Sequence, residues 1–212
     1  MIRIERKDAP PDFDAKVRQP GLAYLSGLAA GEKPKWAGHD YWRRAKKDML
    51  DAYGGICAYA CCEISPRSSA EIDHFCPKAK ARNYKEAYEW ENFRLCSSNI
   101  NRKKNAHMVL DPFEVKDRTF GIELATGRMI RIKKYDPNYE ALCKLTVEVL
   151  GLDTDEYRVL RSDILDDYLH GDITISNLKK RNPFVYNEVK RLQVKPCTNA
   201  GSVTINTLRT EI

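Results

Sequence analysis

Two segments, Glu71 to Pro77 (EIDHFCP) and Trp90 to Lys104 (WENFRLCSSNINRKK), restrict what this chain can fold into more than any other feature of its sequence. The first reads as a short strand that ends in an Asp73-His74 pair. Pro77 follows three residues later, consistent with strand geometry stopping there. The second reads as a strand, Asn92 to Cys96, running into a helix that starts near Ser97 or Ser98, where serine is a good N-cap. Strand, loop, strand, helix is the order needed to hold one metal ion between a strand end and a helix. One stereochemical demand follows. Neighbouring strand residues point to opposite faces, so Asp73 and His74 share a site only if regular strand geometry ends at them.

The residue types in these segments suit phosphodiester hydrolysis. That reaction needs an activated water and a cation to neutralise charge building on the phosphate and the leaving oxygen. A lone imidazole can take a water proton near neutral pH. A carboxylate and an amide oxygen are hard ligands, matched to Mg²⁺ or Mn²⁺. On this reading His74 is the general base, Asp73 and Asn101 hold the metal, and Arg102, Lys103 and Lys104 grip flanking phosphates beside the positive end of the helix.

The set Asp73-His74, Asn92, Leu95-Cys96 and Asn101-x-Lys103 resembles the HNH endonuclease family, over about residues 53 to 106. The resemblance implies a ββα-metal core, with His74 as base, Asp73 and Asn101 as metal ligands, and Asn92 bracing the loop that carries the base. It also implies products with a 5′-phosphate. More loosely, the stretch from Cys57-Ala58-Tyr59 onward is similar to HNH subunits of Septu-type and retron-associated anti-phage systems. There the nuclease works beside an ATPase partner.

Many members of that family add a structural zinc held by two CxxC pairs. Here Cys57 is followed by Cys61 and Cys62, and Asn99 stands where the second partner of Cys96 would be. Cys57, one of Cys61 or Cys62, and Cys96 supply three thiolates where a structural zinc wants four ligands, leaving His107 or the spare cysteine to complete the set. Buried packing of Cys57, Cys61, Cys62 and Cys96 is the favoured alternative. Cys143 and Cys197 stand alone and read as small buried apolar residues. A disulfide framework is not expected in a cytoplasmic chain.

The rest of the sequence predicts an α+β protein in three parts: an irregular arm over 1–39, an HNH domain with a hairpin extension over 40–135, and a helical region over 136–212. Pro10, Pro11, Pro20 and Pro34 break any long element in the arm. Asp40 caps a helix reaching about Tyr53, with Tyr41, Ala45, Met49 and Tyr53 at helical spacing and Gly54-Gly55 as the stop. Its other side carries Arg43, Arg44, Lys46 and Lys47, read as a solvated face ahead of a phosphate-binding one. Phe120, Ile122 and Leu124 alternate, and Gly127 turns the chain into Met129 to Ile132, a hairpin pattern. Leu142, Leu145 and Val149 mark a helix ended by Gly151. Tyr157, Leu160, Ile164 and Tyr168 mark another ended by Gly171, and a third runs from Pro183 to about Leu192. Residues 196–212 show no clear period.

Composition excludes little. The net charge of +6, from 36 basic and 30 acidic residues, permits nucleic-acid binding without requiring it. Placement says more: Lys78, Lys80, Arg82, Lys85, Arg94 and Arg102 to Lys104 flank the candidate site. Tyr84, Tyr88 and Trp90 read as loop packing ahead of base-stacking platforms. No apolar run approaches the roughly 20 residues of a membrane span, and the charged N-terminal segment carries no secretory pattern, so a cytoplasmic location is expected. The sequence thus predicts an endonuclease, with DNA favoured as substrate. The alternatives are a nucleic-acid-binding subunit that keeps the ββα shape without cleavage and a zinc-stabilised adaptor.

Overall fold

The computed structural model describes residues 1–80 and 83–197 and is of the α+β class. Arg82 and the aperiodic stretch from residue 198 lie outside the described residues. Seven α-helices and two small antiparallel sheets make up the described chain. None of these helices is long and apolar enough to cross a membrane.

The N-terminal arm has no helix or strand over residues 1–12 and 27–39, but the stretch between them is helical. A π-helical turn, Asp14–Arg18, leads into α1, Gln19–Ser26, with Pro20 in the first turn. Proline is tolerated there because the N–H it lacks has no intrahelical partner in any case. Phe13 and Val17 are fully buried by this arrangement. The next helix starts as a 3₁₀ segment, Tyr41–Ala45, and continues as α2, Lys46–Ala52. Asp40 precedes it, but its side chain makes no capping bond; it pairs instead with Arg43 at 2.7 Å. Gly54 and Gly55 end the element with positive φ, the region glycine enters without steric cost.

Strands β1 (Ala70–His74) and β2 (Phe93–Ser97) pair antiparallel with Ala70 opposite Ser97 and His74 opposite Phe93. Helix α3, Ser98–Lys104, follows β2 directly, and its N-cap Ser97 accepts from the Ile100 N–H. The order β1, β2, α3 is the one the sequence predicts. Helix α3 covers the sheet face bearing Glu71 and Asp73, since Asn101 reaches Glu71 and Lys104 reaches Asp73. The opposite face, with Ile72 and His74, packs against α2 and its 3₁₀ turn.

Strands β3 (Phe120–Glu123) and β4 (Arg128–Arg131) form the expected hairpin. Helices α4 (Pro137–Leu150) and α5 (Asp155–His170) end at left-handed Gly151 and Gly171, and α7 spans Pro183–Arg191. The short α6, Ile175–Arg181, was not expected from periodicity, although Thr174 caps it by accepting from Asn177. One hydrophobic cluster runs from Met1 and Phe13 through the β1–β2 sheet to Phe184 and Val189.

Candidate functional site

Regular strand geometry does not end before His74. It is the last residue of β1, so Asp73 and His74 point to opposite faces of the sheet, and each has its own surroundings. Both nevertheless line one cleft of about 1050 Å³, together with Glu71, Lys78, Asn101, Arg102, Trp36, Trp42, Arg43 and Lys46.

His74 is 6% exposed and stands edge-on to Trp42 and Phe93, with centroids 4.8 and 5.4 Å away. Its Nε2 lies 3.0 Å from the Ala87 carbonyl oxygen, and its Nδ1 lies 3.2 Å from Nζ of Lys78. A carbonyl can only accept and an ammonium can only donate. The ring is therefore neutral, protonated on Nε2, with the Nδ1 lone pair turned to Lys78 on the cleft side. Burial first, and then the Lys78 charge, push its pKa down to about 3.

Asn92 fixes this geometry. Its Oδ1 accepts from the Cys76 N–H at 2.7 Å, and its Nδ2 donates to the carbonyls of Cys76 and Glu86. It thereby ties the segment after His74 to the residue before Ala87, the carbonyl that holds Nε2.

Asp73 is 3% exposed, and both its oxygens are engaged: Oδ1 accepts from Lys104 at 3.0 Å and Oδ2 from the Tyr59 hydroxyl at 2.5 Å. Burial raises its pKa, opposed by Lys104 and Tyr59. Lys104 is fully enclosed and also donates to the carbonyls of His74 and Phe75. It is not a phosphate contact, as its place in the basic run suggested. It is a strut under the strand end. Lys103 also points away from the cleft, its Nζ lying against Gly151 at the C-terminus of α4, where helix-end carbonyls favour a cation. Of the three basic residues, only Arg102 lines the cleft.

Asn101 and Asp73 face the same cleft, but the partner of Asn101 is Glu71, two residues earlier on the same strand face, whose Oε2 accepts from Nδ2 at 2.6 Å. Glu71 is exposed. A hard divalent cation takes one or two carboxylates and completes its shell with water and substrate oxygens. Asp73, saturated by a cation and a hydroxyl, does not fit that role in this arrangement. Glu71 and the Asn101 amide oxygen do. Glu71 was available to sequence reasoning through the two-residue period that puts it on the face of Asp73.

Among the described residues no three His, Cys, Asp or Glu side chains form a group able to hold a metal ion. Cys57, Cys61, Cys62 and Cys96 are buried free thiols in the hydrophobic cluster, and His107 is exposed. Burial pushes all four thiols up, Cys57 to about 11, which disfavours the thiolate. Cys143 is buried as expected, but Cys197 is exposed.

The aromatics nearest the site were not the ones singled out from the sequence. Tyr88 and Trp90 are buried in packing, their polar atoms bonded to the carbonyls of His39 and Lys7. Trp36 and Trp42 instead wall the cleft. On the charged face of α2 and its 3₁₀ turn, Arg43 and Lys46 line the cleft, whereas Arg44 and Lys47 turn to Lys16 and Asp51.

Comparison with models of known protein families gave no match, and neither did comparison with curated protein sequences.

Proposed function

We propose that this protein is a metal-dependent endonuclease of the HNH type, hydrolysing phosphodiester bonds of nucleic acid, with DNA the favoured substrate. The observation that carries this reading is the setting of His74, whose Nε2 lies against the Ala87 carbonyl and whose Nδ1 faces Lys78. Its Nε2–H is tied to a main-chain carbonyl, so a lone pair at Nδ1 faces a cleft shared with Glu71, Asn101 and four basic side chains. Nδ1 takes the proton of the attacking water as its oxygen bonds to phosphorus. The bond to the leaving oxygen breaks, and that oxygen takes a proton from solvent. Glu71 and Asn101 would hold an Mg²⁺ or Mn²⁺ ion, which supplies charge neutralisation at the phosphate and acidifies bound water. Arg102, Arg43 and Lys46 offset the charge of flanking phosphates. Asn92, Lys104, Tyr59 and Asp73 hold the strand end in place.

The engagement of both Asp73 oxygens favours a second reading, binding of nucleic acid without cleavage. Supercoiled plasmid and a structured RNA, incubated with the protein and Mg²⁺ or Mn²⁺, separate the two. Nicking or chain scission that EDTA stops and that His74→Ala lacks is the expected result. Cleavage that persists in His74→Ala removes His74 from the role of base.

A further inference from the structure

Lys78 follows β1 by four residues, and its ammonium sits on the reactive nitrogen of His74. Nζ is 3.2 Å from Nδ1 and lies over the face of Trp42, 4.3 Å from the ring centroid, with Trp36 at 5.9 Å. The side chain is half-buried and lines the cleft. Among the described residues no carboxylate comes within ion-pair distance of it. The carboxylates that act on it, Asp73 and Asp40, are committed to Lys104 and Arg43. Those two cations in turn repel it, and burial disfavours its charge further.

With Lys78 in this position His74 cannot act as a base, because a proton on Nδ1 would set two cations 3.2 Å apart. An ammonium bonded to an anion is held more strongly than one bonded to a neutral ring nitrogen. A phosphate entering the cleft therefore competes well for Nζ.

Building on the nuclease reading above, we propose that Lys78 is a latch on the general base. In the free protein it occupies the Nδ1 lone pair of His74, and a phosphate of the bound nucleic acid draws it off. The nitrogen is then open to the attacking water only when substrate is present. Phosphate binds Nζ only in the open arrangement, and that difference in affinity is what a ligand needs to shift such an equilibrium. The lysine keeps its proton throughout, so it serves as a substrate-binding and positioning residue.

The test uses the full chain in EDTA, where no cleavage occurs, with short DNA and RNA oligonucleotides as probes. Binding of wild type, Lys78→Met and Lys78→Arg is followed against NaCl concentration. Loss of one phosphate contact reduces the slope of log K against log salt by about one. That reduction is expected in Lys78→Met and not in Lys78→Arg. In protein labelled with ¹⁵N-histidine, the Nδ1 resonance of His74 should move when oligonucleotide is added to wild type. In free Lys78→Met it should already lie away from its wild-type position. Wild-type binding with an unchanged slope in Lys78→Met, or an Nδ1 resonance indifferent to both changes, overturns the latch and leaves the nuclease reading standing. Failure of the wild type to bind either oligonucleotide overturns the nuclease reading, and the latch with it.

Discussion

Lys104 carries its charge into full enclosure, and the three oxygens around it explain why it stays there: Oδ1 of Asp73 and the carbonyls of His74 and Phe75. Removing one partner of a buried ion pair leaves the other charge unpaired and typically costs about 3–5 kcal/mol. Lys104→Met should therefore lower the free energy of unfolding by about that amount in a urea titration. The salt dependence of oligonucleotide binding should not change for that variant. The reverse pattern, unchanged stability and a shallower salt slope, would return Lys104 to the phosphate-binding role its neighbours in sequence suggest. The same reasoning separates Glu71 from Asp73. Both point to one face of β1, but only Glu71 keeps an oxygen open to the cleft, because Tyr59 and Lys104 arrive at Asp73 from 14 and 31 residues away.

Among the elements, α4 shows how far a hydrophobic period can mislead about a face. Leu142, Leu145 and Val149 predict the helix but mark its buried side only in part: Leu142 and Val149 pack half-buried against the core, the fully buried positions are Cys143, Thr146 and Leu150, and Leu145 is 42% exposed. Thr146 lies on the inner side because its Oγ1 accepts from the Leu110 N–H at 2.8 Å while donating to the Leu142 carbonyl. Thr146→Val keeps the shape but leaves the Leu110 N–H buried without an acceptor, a loss of about 1–3 kcal/mol. Leu145→Ala, at an exposed position, should change stability by no more than about 0.5 kcal/mol. Thermal melts of the two variants in parallel check this, and a larger effect from Leu145→Ala would mean that the helix buries its leucine face. The start of α3 and the ends of α4 and α5 were legible in the sequence because Ser97, Gly151 and Gly171 act within one helical turn of where they stand. The orientation of α4 was not, because Leu110 lies 36 residues away.

Across the whole molecule, the N-terminal arm and the candidate site share one hydrophobic cluster. Phe13 is fully buried and stands edge-on to Trp90 and to Phe93, at 5.5 and 5.9 Å, and Phe93 is the strand partner of His74. Phe13→Ala should cost about 3–5 kcal/mol, as large-to-small changes of buried aromatics do. It should lower the single unfolding transition of the chain as a whole. A second, separate transition in calorimetry, with the main one unmoved, would show that the arm folds independently of the sheet.

Local sequence signals account for the order β1, β2, α3, the hairpin β3–β4, the ends of the long helices, and the presence of His74, Asn92 and Asn101 near one strand end and one helix start. Capping, turn chemistry and strand alternation act between residues a few positions apart, so their signal is written locally. Only long-range packing settles which of two carboxylates on the cleft keeps an oxygen open to it, that Lys104 is a strut and Lys103 a helix-end contact, and that Trp36, Trp42 and Lys78 gather around the imidazole. Each of these follows from which distant side chains reach a buried point first, and from the cost of leaving a charge or hydrogen-bonding group there without a partner.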